Sequence, residues 1–271
     1  MRAREPMAGE RRSFLSTAAA GAAWFSYLFL LMPSLIVIPI SFGERTTVEF
    51  PPPRFSLDLY HQYFFEDQWM AATALSLRVA LGATIISVVA GTLAAYALVR
   101  CEFPGKKLVG LLLLSPILVP IIAVALGLYL YFNALNIRGS ELSLILAHSV
   151  ITAPFVIVTA MAGLRHIDAN LEIAATVMGA GRWRTLTRVT LPLLKPAIVA
   201  GALFAFLLSF DEVVIAWFVA KTASPTLPVA MYSSIQWSGV SPVLAAISTL
   251  LTVLSVAICL IVAAVTGREK R

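Results

Sequence analysis

Residues 79–99 read VALGATIISVVAGTLAAYALV, an uncharged run that stops at Arg100. About 20 predominantly apolar residues cross the roughly 30 Å of bilayer hydrocarbon, so this run is long enough to be a membrane span. It is continuous rather than alternating, which points to a helix and not to a barrel strand. Gly82, Gly91, Ala94 and Ala95 supply the small surfaces through which helices approach each other in lipid. The rest of the chain shares this character. Of its 271 residues, 59% are hydrophobic and 13% charged, where an average soluble domain has roughly 25% charged residues. The mean hydropathy is +0.89. The expected fold class is an all-α integral membrane protein with six transmembrane helices.

Upstream, Arg11-Arg12-Ser13-Phe14-Leu15 ahead of an alanine-rich run has the outline of a twin-arginine export signal. A signal h-region is about 7 to 15 residues, whereas Ser13 to Gly43 carries no charge and includes Trp24, Phe25, Tyr27 and Phe29. The segment is therefore expected to be an uncleaved first transmembrane helix. Residues 44–71 are polar and contain Pro51-Pro52-Pro53, which cannot continue a helix. The aromatic and acidic residues that follow, Asp58 to Met70, suit a short helix at the membrane surface, either anchoring the second span or docking an extracytoplasmic partner.

Downstream, Leu108 to about Phe132 is the expected third span, interrupted by Pro116 and Pro120, and Leu142 to Gly163 the fourth, carrying His148 and Pro154. Pro196 is placed to start the fifth span at its N1 position. That span is uncharged to Phe210, where Asp211 and Glu212 follow. Pro225, Pro228 and Pro242 mark a re-entrant or outer loop before a sixth span at Val243 to Thr266.

Charge gives orientation. Fifteen Lys and Arg fall on one side: four before the first span, three at 100–107, five between Arg165 and Lys195 and three at the C-terminus. Arg45, Arg54, Arg138 and Lys221 fall on the other. By the positive-inside rule both termini are cytoplasmic, and the net charge of +6 reflects this rather than nucleic-acid binding. Cys101 and Cys259 form no metal or disulfide pattern.

The segment from Gly163 to Gly201 then faces the cytoplasm, and it is polar and basic. Asp168 and Asn170 are suited to cap a short helix whose first turn holds Glu172. Gly179 and Gly181 permit a sharp turn, and a second helix from about Arg182 is expected to end at Leu191-Pro192. The result is a compact knob. An ordinary basic loop on the lipid surface, anchored by Trp183, is the plainer alternative. Ala174-Ala175, Gly179, Val189 and Leu191-Pro192 have a spacing that resembles the EAA loop of ABC importer permeases. The family's glutamate falls on Ile173, with Glu172 one place earlier. The resemblance implies ATPase-coupling roles for Glu172, Ala174, Ala175, Gly179, Ala180, Leu191 and Pro192. It also implies a division into residues 1–43 (tail and first span), 44–71 (extracytoplasmic segment), 72–267 (five-helix permease core with coupling loop 163–196) and 268–271 (cytoplasmic tail).

A carboxylate at mid-bilayer costs on the order of 2.5–3.5 kcal/mol, so Asp211 and Glu212 are candidates for a substrate pathway facing water. Adjacent helical residues point about 100° apart, so the two are not expected to serve one site equally. The alternative is that Asp211 pairs with a basic group or caps a broken helix. Ser209-Phe210-Asp211-Glu212-Val213-Val214, Thr226-Leu227-Pro228-Val229, Tyr232-Ser233, residues 55–63 and Ser76 to Ala80 are similar to the polyamine and opine branch of these permeases, over most of residues 55–267. That similarity implies a cationic substrate such as putrescine or spermidine. It further implies a bacterial inner-membrane location, a second permease, a pair of ATPase subunits and an extracytoplasmic substrate-binding protein. The sequence has no phosphate-binding glycine loop ending in Lys-Ser/Thr. No cofactor is expected on this chain, and ATP and Mg would sit on the ATPase. The rivals are a channel, which needs no knob, a proton-coupled carrier using His148, Asp211 and Glu212, and a membrane enzyme, for which clustered His, Cys or acids are lacking.

Overall fold

The computed structural model describes residues 7–45, 48–220 and 224–268. Among them the chain is all helical, in the order α1 (Met7–Ile40), α2 (Asp58–Phe65), α3 (Asp67–Arg100), α4 (Lys106–Leu118), α5 (Ile121–Ala134), α6 (Glu141–His166), α7 (Ala169–Val177), α8 (Arg182–Thr185), a π turn (Leu186–Thr190), α9 (Leu191–Phe210), α10 (Val214–Val219), α11 (Leu227–Ser238) and α12 (Val243–Arg268). Arg2, Arg4, Lys221, Lys270 and Arg271, counted above for orientation, lie outside the described residues, as do the side chains of Arg11, Arg12, Cys259 and Arg268.

Four described helices are long and apolar enough to cross a bilayer: the Ala20–Ile40 part of α1, then α3, α6 and the continuous helix Arg182–Phe210. The pair α4–α5 makes a fifth if taken as one broken span, and the Val243–Ala257 stretch of α12 is apolar but shorter.

Two compact units divide the chain. The first comprises residues 1–66 and 238–271, the second residues 67–237. In the first, α12 packs against α1 and α2. Tyr60 of α2 bonds Ser41 through its hydroxyl at 2.7 Å, just past the end of α1. Trp24, Phe25, Tyr27 and Phe29 stand exposed on α1, as suits a helix bathed in lipid.

In the second unit α3, α6 and α9 pack mutually. Ala95, Leu98, Ile157, Ala160, Leu164 and Leu194 form their common core. A second cluster joins α3 and α6 to α5, α10 and α11 through Leu75, Val79, Phe132, Leu144, Ile151, Ile215, Val219 and Val229. Lipid tails are as apolar as leucine, so helix association in a membrane relies on close packing and buried polar contacts rather than on a hydrophobic drive. Both are present. Ser87 of α3 meets Thr152 of α6 at 2.7 Å, and His148 Nδ1 of α6 lies 2.8 Å from the Ser209 hydroxyl of α9. The glycines that bound the polar segment are reciprocal contact points. A Cβ on Gly163 of α6 would lie 2.5 Å from Ala197 Cβ of α9, and one on Gly201 of α9 would lie 2.5 Å from Thr159 Oγ1 of α6.

Two expectations from the sequence are corrected and one is sharpened. The interruption expected in the third span is a sharp bend: α4 and α5 meet at 105°. Proline disfavours helical angles in the residue before it, and Val119, preceding Pro120, is extended at φ −86°, ψ 136°. Leu191-Pro192 does not end a helix, nor does Pro196 begin one. The helix runs unbroken from Arg182 to Phe210, with Pro192 in the first turn of α9 and Pro196 inside it. A proline ring conflicts with the carbonyl four residues back. Here the preceding π turn shifts the bonding, and the Leu191 N–H donates to Leu186 O, five residues back. Finally, Pro228 does not mark a loop but lies in the first turn of α11, where its missing N–H has no helical partner to lose.

Gly163→Ala is expected to destabilise the protein by about 1–3 kcal/mol, because the Ala197 methyl that it meets cannot rotate away. Gly127, with nothing within 4 Å of its Cβ position, should tolerate alanine without loss. Thermal unfolding of the two variants in detergent compares them directly.

Candidate functional site

The segment after α6 is built from local signals. Ile167, the residue ending α6, is extended, and the next residue, Asp168, caps α7 by accepting the Asn170 N–H at 2.9 Å. At the far end the Gly179 N–H donates to Thr176 O and the Ala180 N–H to Ala175 O, each at 3.0 Å. This is the double-bonded Schellman closure, which needs a left-handed residue after the cap, and Gly179 sits at φ +87°. Gly181 does not use that freedom, since it is extended at φ −67°, ψ 161° ahead of α8. Beyond the turn, α8 runs through the π turn into α9.

The faces of α7 are inverted relative to a surface helix. Ile173, Val177 and Met178 are 57%, 82% and 82% exposed, and Trp183 beyond the turn is 71% exposed. The only carboxylate of α7, Glu172, points inward. Its Oε1 receives Arg100 Nε at 3.1 Å and the Thr190 hydroxyl at 3.1 Å, and the Tyr96 hydroxyl lies 3.5 Å from Oε2. Arg100 completes its bonding with Nη2 donating to Leu164 O at 3.2 Å and Ile167 O at 2.8 Å. A cation is favoured at a helix C-terminus, where the last carbonyls lack partners. The Arg100 and Glu172 side chains are only 16% and 12% exposed, so removing one partner leaves the other charge largely shielded from water and unpaired.

The candidate residues therefore separate. Ala174 and Gly179 lie on the surface, Ala180 is half-buried, and Glu172 and Ala175 are turned inward. Leu191 is half-buried and Pro192 exposed, at the start of α9. Arg100, Tyr96 and Thr190 were missed as site residues. The signal for Arg100 is its place at the end of a span, where an arginine serves equally well as an orienting charge.

The two acids after α9 also separate. Asp211 ends the helix, its N–H bonded to Leu207 O, and its side chain is exposed. Glu212 is buried at 7% exposure, and its Oε1 accepts the Ile215 N–H at 2.8 Å, satisfying a donor in the first turn of α10. His148 bonds Ser209 rather than either acid. Beyond this break, the Leu227 N–H that opens α11 donates to the Ser76 hydroxyl of α3 at 2.7 Å.

An all-helical membrane chain with this inverted knob leading into a broken helix can be set beside known proteins. Residues 7–268 match the family described as binding-protein-dependent transport system inner membrane component. The chain belongs to this family. It is an ABC transport permease of the inner membrane, and the family is one of transport components rather than enzymes. The spermidine/putrescine transport system permease protein PotC of Haemophilus influenzae is 32% identical over 244 residues, covering 90% of this chain and 94% of that protein. The putrescine transport system permease protein PotI of Escherichia coli K12 is 34% identical over 233 residues, covering 83% and 82%. A chain in the crystal structure of a bacterial ABC transporter involved in the import of the acidic polysaccharide alginate superposes with a TM-score of 0.72. It covers 98% of this chain and 99% of that one at 17% identity, a likeness of fold alone.

Glu212→Ala leaves the Ile215 N–H without its acceptor and is expected to lower stability by about 0.5–2 kcal/mol, the usual cost of a lost helix cap. Glu212→Gln keeps an acceptor oxygen and should lose less. Unfolding midpoints in detergent give the comparison.

Proposed function

We propose that this permease imports a polyamine-class cation, with six spans, both termini in the cytoplasm and the knob at residues 163–196 docked on an ATPase. Its assembly includes a second permease, two ATPase subunits that hold the ATP and Mg, and an extracytoplasmic binding protein. The inverted α7 carries the coupling part of this reading. A short helix with exposed Ile173, Val177 and Met178, closed by an open glycine turn, suits a protein groove better than water. In that arrangement Ala174, Gly179 and Ala180 lie at or near the docking surface. Glu172 and Ala175 hold the segment from behind, and Leu191-Pro192 joins it to α9. The continuous helix Arg182–Phe210 gives a rigid route from the knob to Asp211.

The names of PotC and PotI and the exposed carboxylate of Asp211 support a cationic substrate. Asp211 supplies the charge to the pathway, and Glu212 holds the helix break beside it. A proton-coupled carrier is disfavoured, because the hydrogen bonds of His148 Nδ1 and of Glu212 run to Ser209 and to the Ile215 N–H and do not link the two side chains in a relay.

Uptake by proteoliposomes containing the full complex tests the reading. ATP-dependent accumulation of putrescine or spermidine is expected; accumulation driven by a proton gradient alone would overturn it. Asp211→Asn removes a charge-assisted contact worth about 1.5–3 kcal/mol and should lower kcat/KM for putrescine roughly ten- to a hundredfold while the ATPase still co-purifies. Unchanged uptake kinetics would remove Asp211 from the pathway.

Gly179 tests the docking. Gly179→Trp should insert into the membrane yet abolish ATP-driven uptake. Gly179→Ala, which carries about 1–2 kcal/mol of backbone strain but little bulk, should retain much of it. Normal uptake by the tryptophan variant would count against a groove at the turn.

A further inference from the structure

Glu172 faces away from the surface proposed to meet the ATPase, and what it faces gives it a different task. Four segments converge on it and its partner: the end of α3 with Arg100 and Tyr96, the end of α6 with the carbonyls of Leu164 and Ile167, the first turn of α7, and the π turn with Thr190. Apolar packing does little to fix α7 here. Ala175 is its one buried residue, which contributes no more than a methyl group. Position and orientation of α7 against the bundle therefore depend on the ion pair. The wider π turn lies where the Thr190 hydroxyl reaches the same carboxylate, so the start of α9 is tied to the same node.

We propose that Arg100 and Glu172 are positioning residues, a partly buried ionic joint that makes the knob move as one body with α3 and α6, so that motion of the ATPase reaches the spans. The proposal rests on the docking reading above. It assigns Glu172 to transmission rather than to ATPase contact. A joint made of charges has a mechanical consequence that apolar packing lacks. The bidentate use of one guanidinium, Nε on the carboxylate and Nη2 on two carbonyls, fixes direction as well as distance. A shift of α7 relative to α3 would break several bonds together in a site mostly withdrawn from water, so the arrangement resists sliding.

The test uses the full complex, with its ATPase, second permease and binding protein, in proteoliposomes, and reads ATP hydrolysed per putrescine accumulated together with ATPase co-purification. The variants are Glu172→Gln and the double change Arg100→Leu with Glu172→Leu. The double change leaves no unpaired buried charge and so guards against simple misfolding. Both are expected to retain the ATPase at wild-type level while ATP consumed per solute rises at least tenfold. In a background with Cys101→Ser and Cys259→Ser, Arg100→Cys with Glu172→Cys should be similarly uncoupled. A short bis-thiol-reactive linker should bring the ratio back to within about twofold of wild type, which a merely structural role would not produce. A wild-type ratio in the double leucine variant, or no recovery on cross-linking, overturns the joint. Loss of the ATPase from the double variant overturns it in favour of a direct ATPase contact. The Gly179→Trp variant, measured in parallel, separates these outcomes from failure of the docking reading: if it keeps both the ATPase and normal coupling, the groove is wrong whatever the joint does.

Discussion

Hydrocarbon offers no partner to a backbone N–H or C=O, and each group left unsatisfied there is costly. That constraint makes the long apolar runs of this chain helical, and wherever a helix of this chain is interrupted, in or near the membrane, its freed backbone groups must likewise find other partners. At Pro120 the chain turns by 105° between α4 and α5. At Pro192 the bonding slips by one residue through a π turn, and the helix survives. After Phe210 the backbone leaves the helix, and the Glu212 carboxylate takes up the Ile215 N–H. Three interruptions are resolved in three ways, according to what neighbouring groups can supply.

Helices brought together in lipid need shape and polar contacts more than hydrophobicity. Gly163 and Gly201 bring α6 and α9 close at two points, while Ser87–Thr152 and His148–Ser209 tie α6 to α3 and α9. This bundle gives Arg100 and Glu172 a fixed frame in which to meet. Without the close approach of α3 and α6, the carbonyls of Leu164 and Ile167 would not lie within reach of the guanidinium that also holds Glu172. The packing of the membrane core and the attachment of the knob are thus one structural problem, and the knob in turn leads through one continuous helix to Asp211.

Much of the knob was legible in sequence because its determinants are local. Asp168 caps α7 and Gly179 closes it, and both act on backbone groups within a few residues. Leu191-Pro192 looks like a helix end because the proline rule assumes regular α bonding, and nothing in the local sequence announces a π turn. The separation of Asp211 from Glu212 arises at the helix break, since both lie past the end of α9 where the 100° offset of helical neighbours no longer applies, and which of the two faces inward was not legible in the local sequence. The inward turn of Glu172 was also hidden, since a carboxylate in the first helical turn is favourable whether it faces water or a buried arginine.

By itself the sequence determined the helical membrane architecture, the polar segment at residues 163–201, and the helix caps within it. These depend on the transfer energy of contiguous residues and on backbone bonds between near neighbours, quantities that add up along the chain. Tertiary structure alone decided that Ile173, Val177 and Met178 face outward, that Glu172 meets Arg100 across 72 positions of sequence, and that Glu212 is buried where Asp211 is not. Those outcomes require the packed positions of α3, α6 and α9, because an ion pair or a buried cap forms only when distant segments are already held at bonding distance.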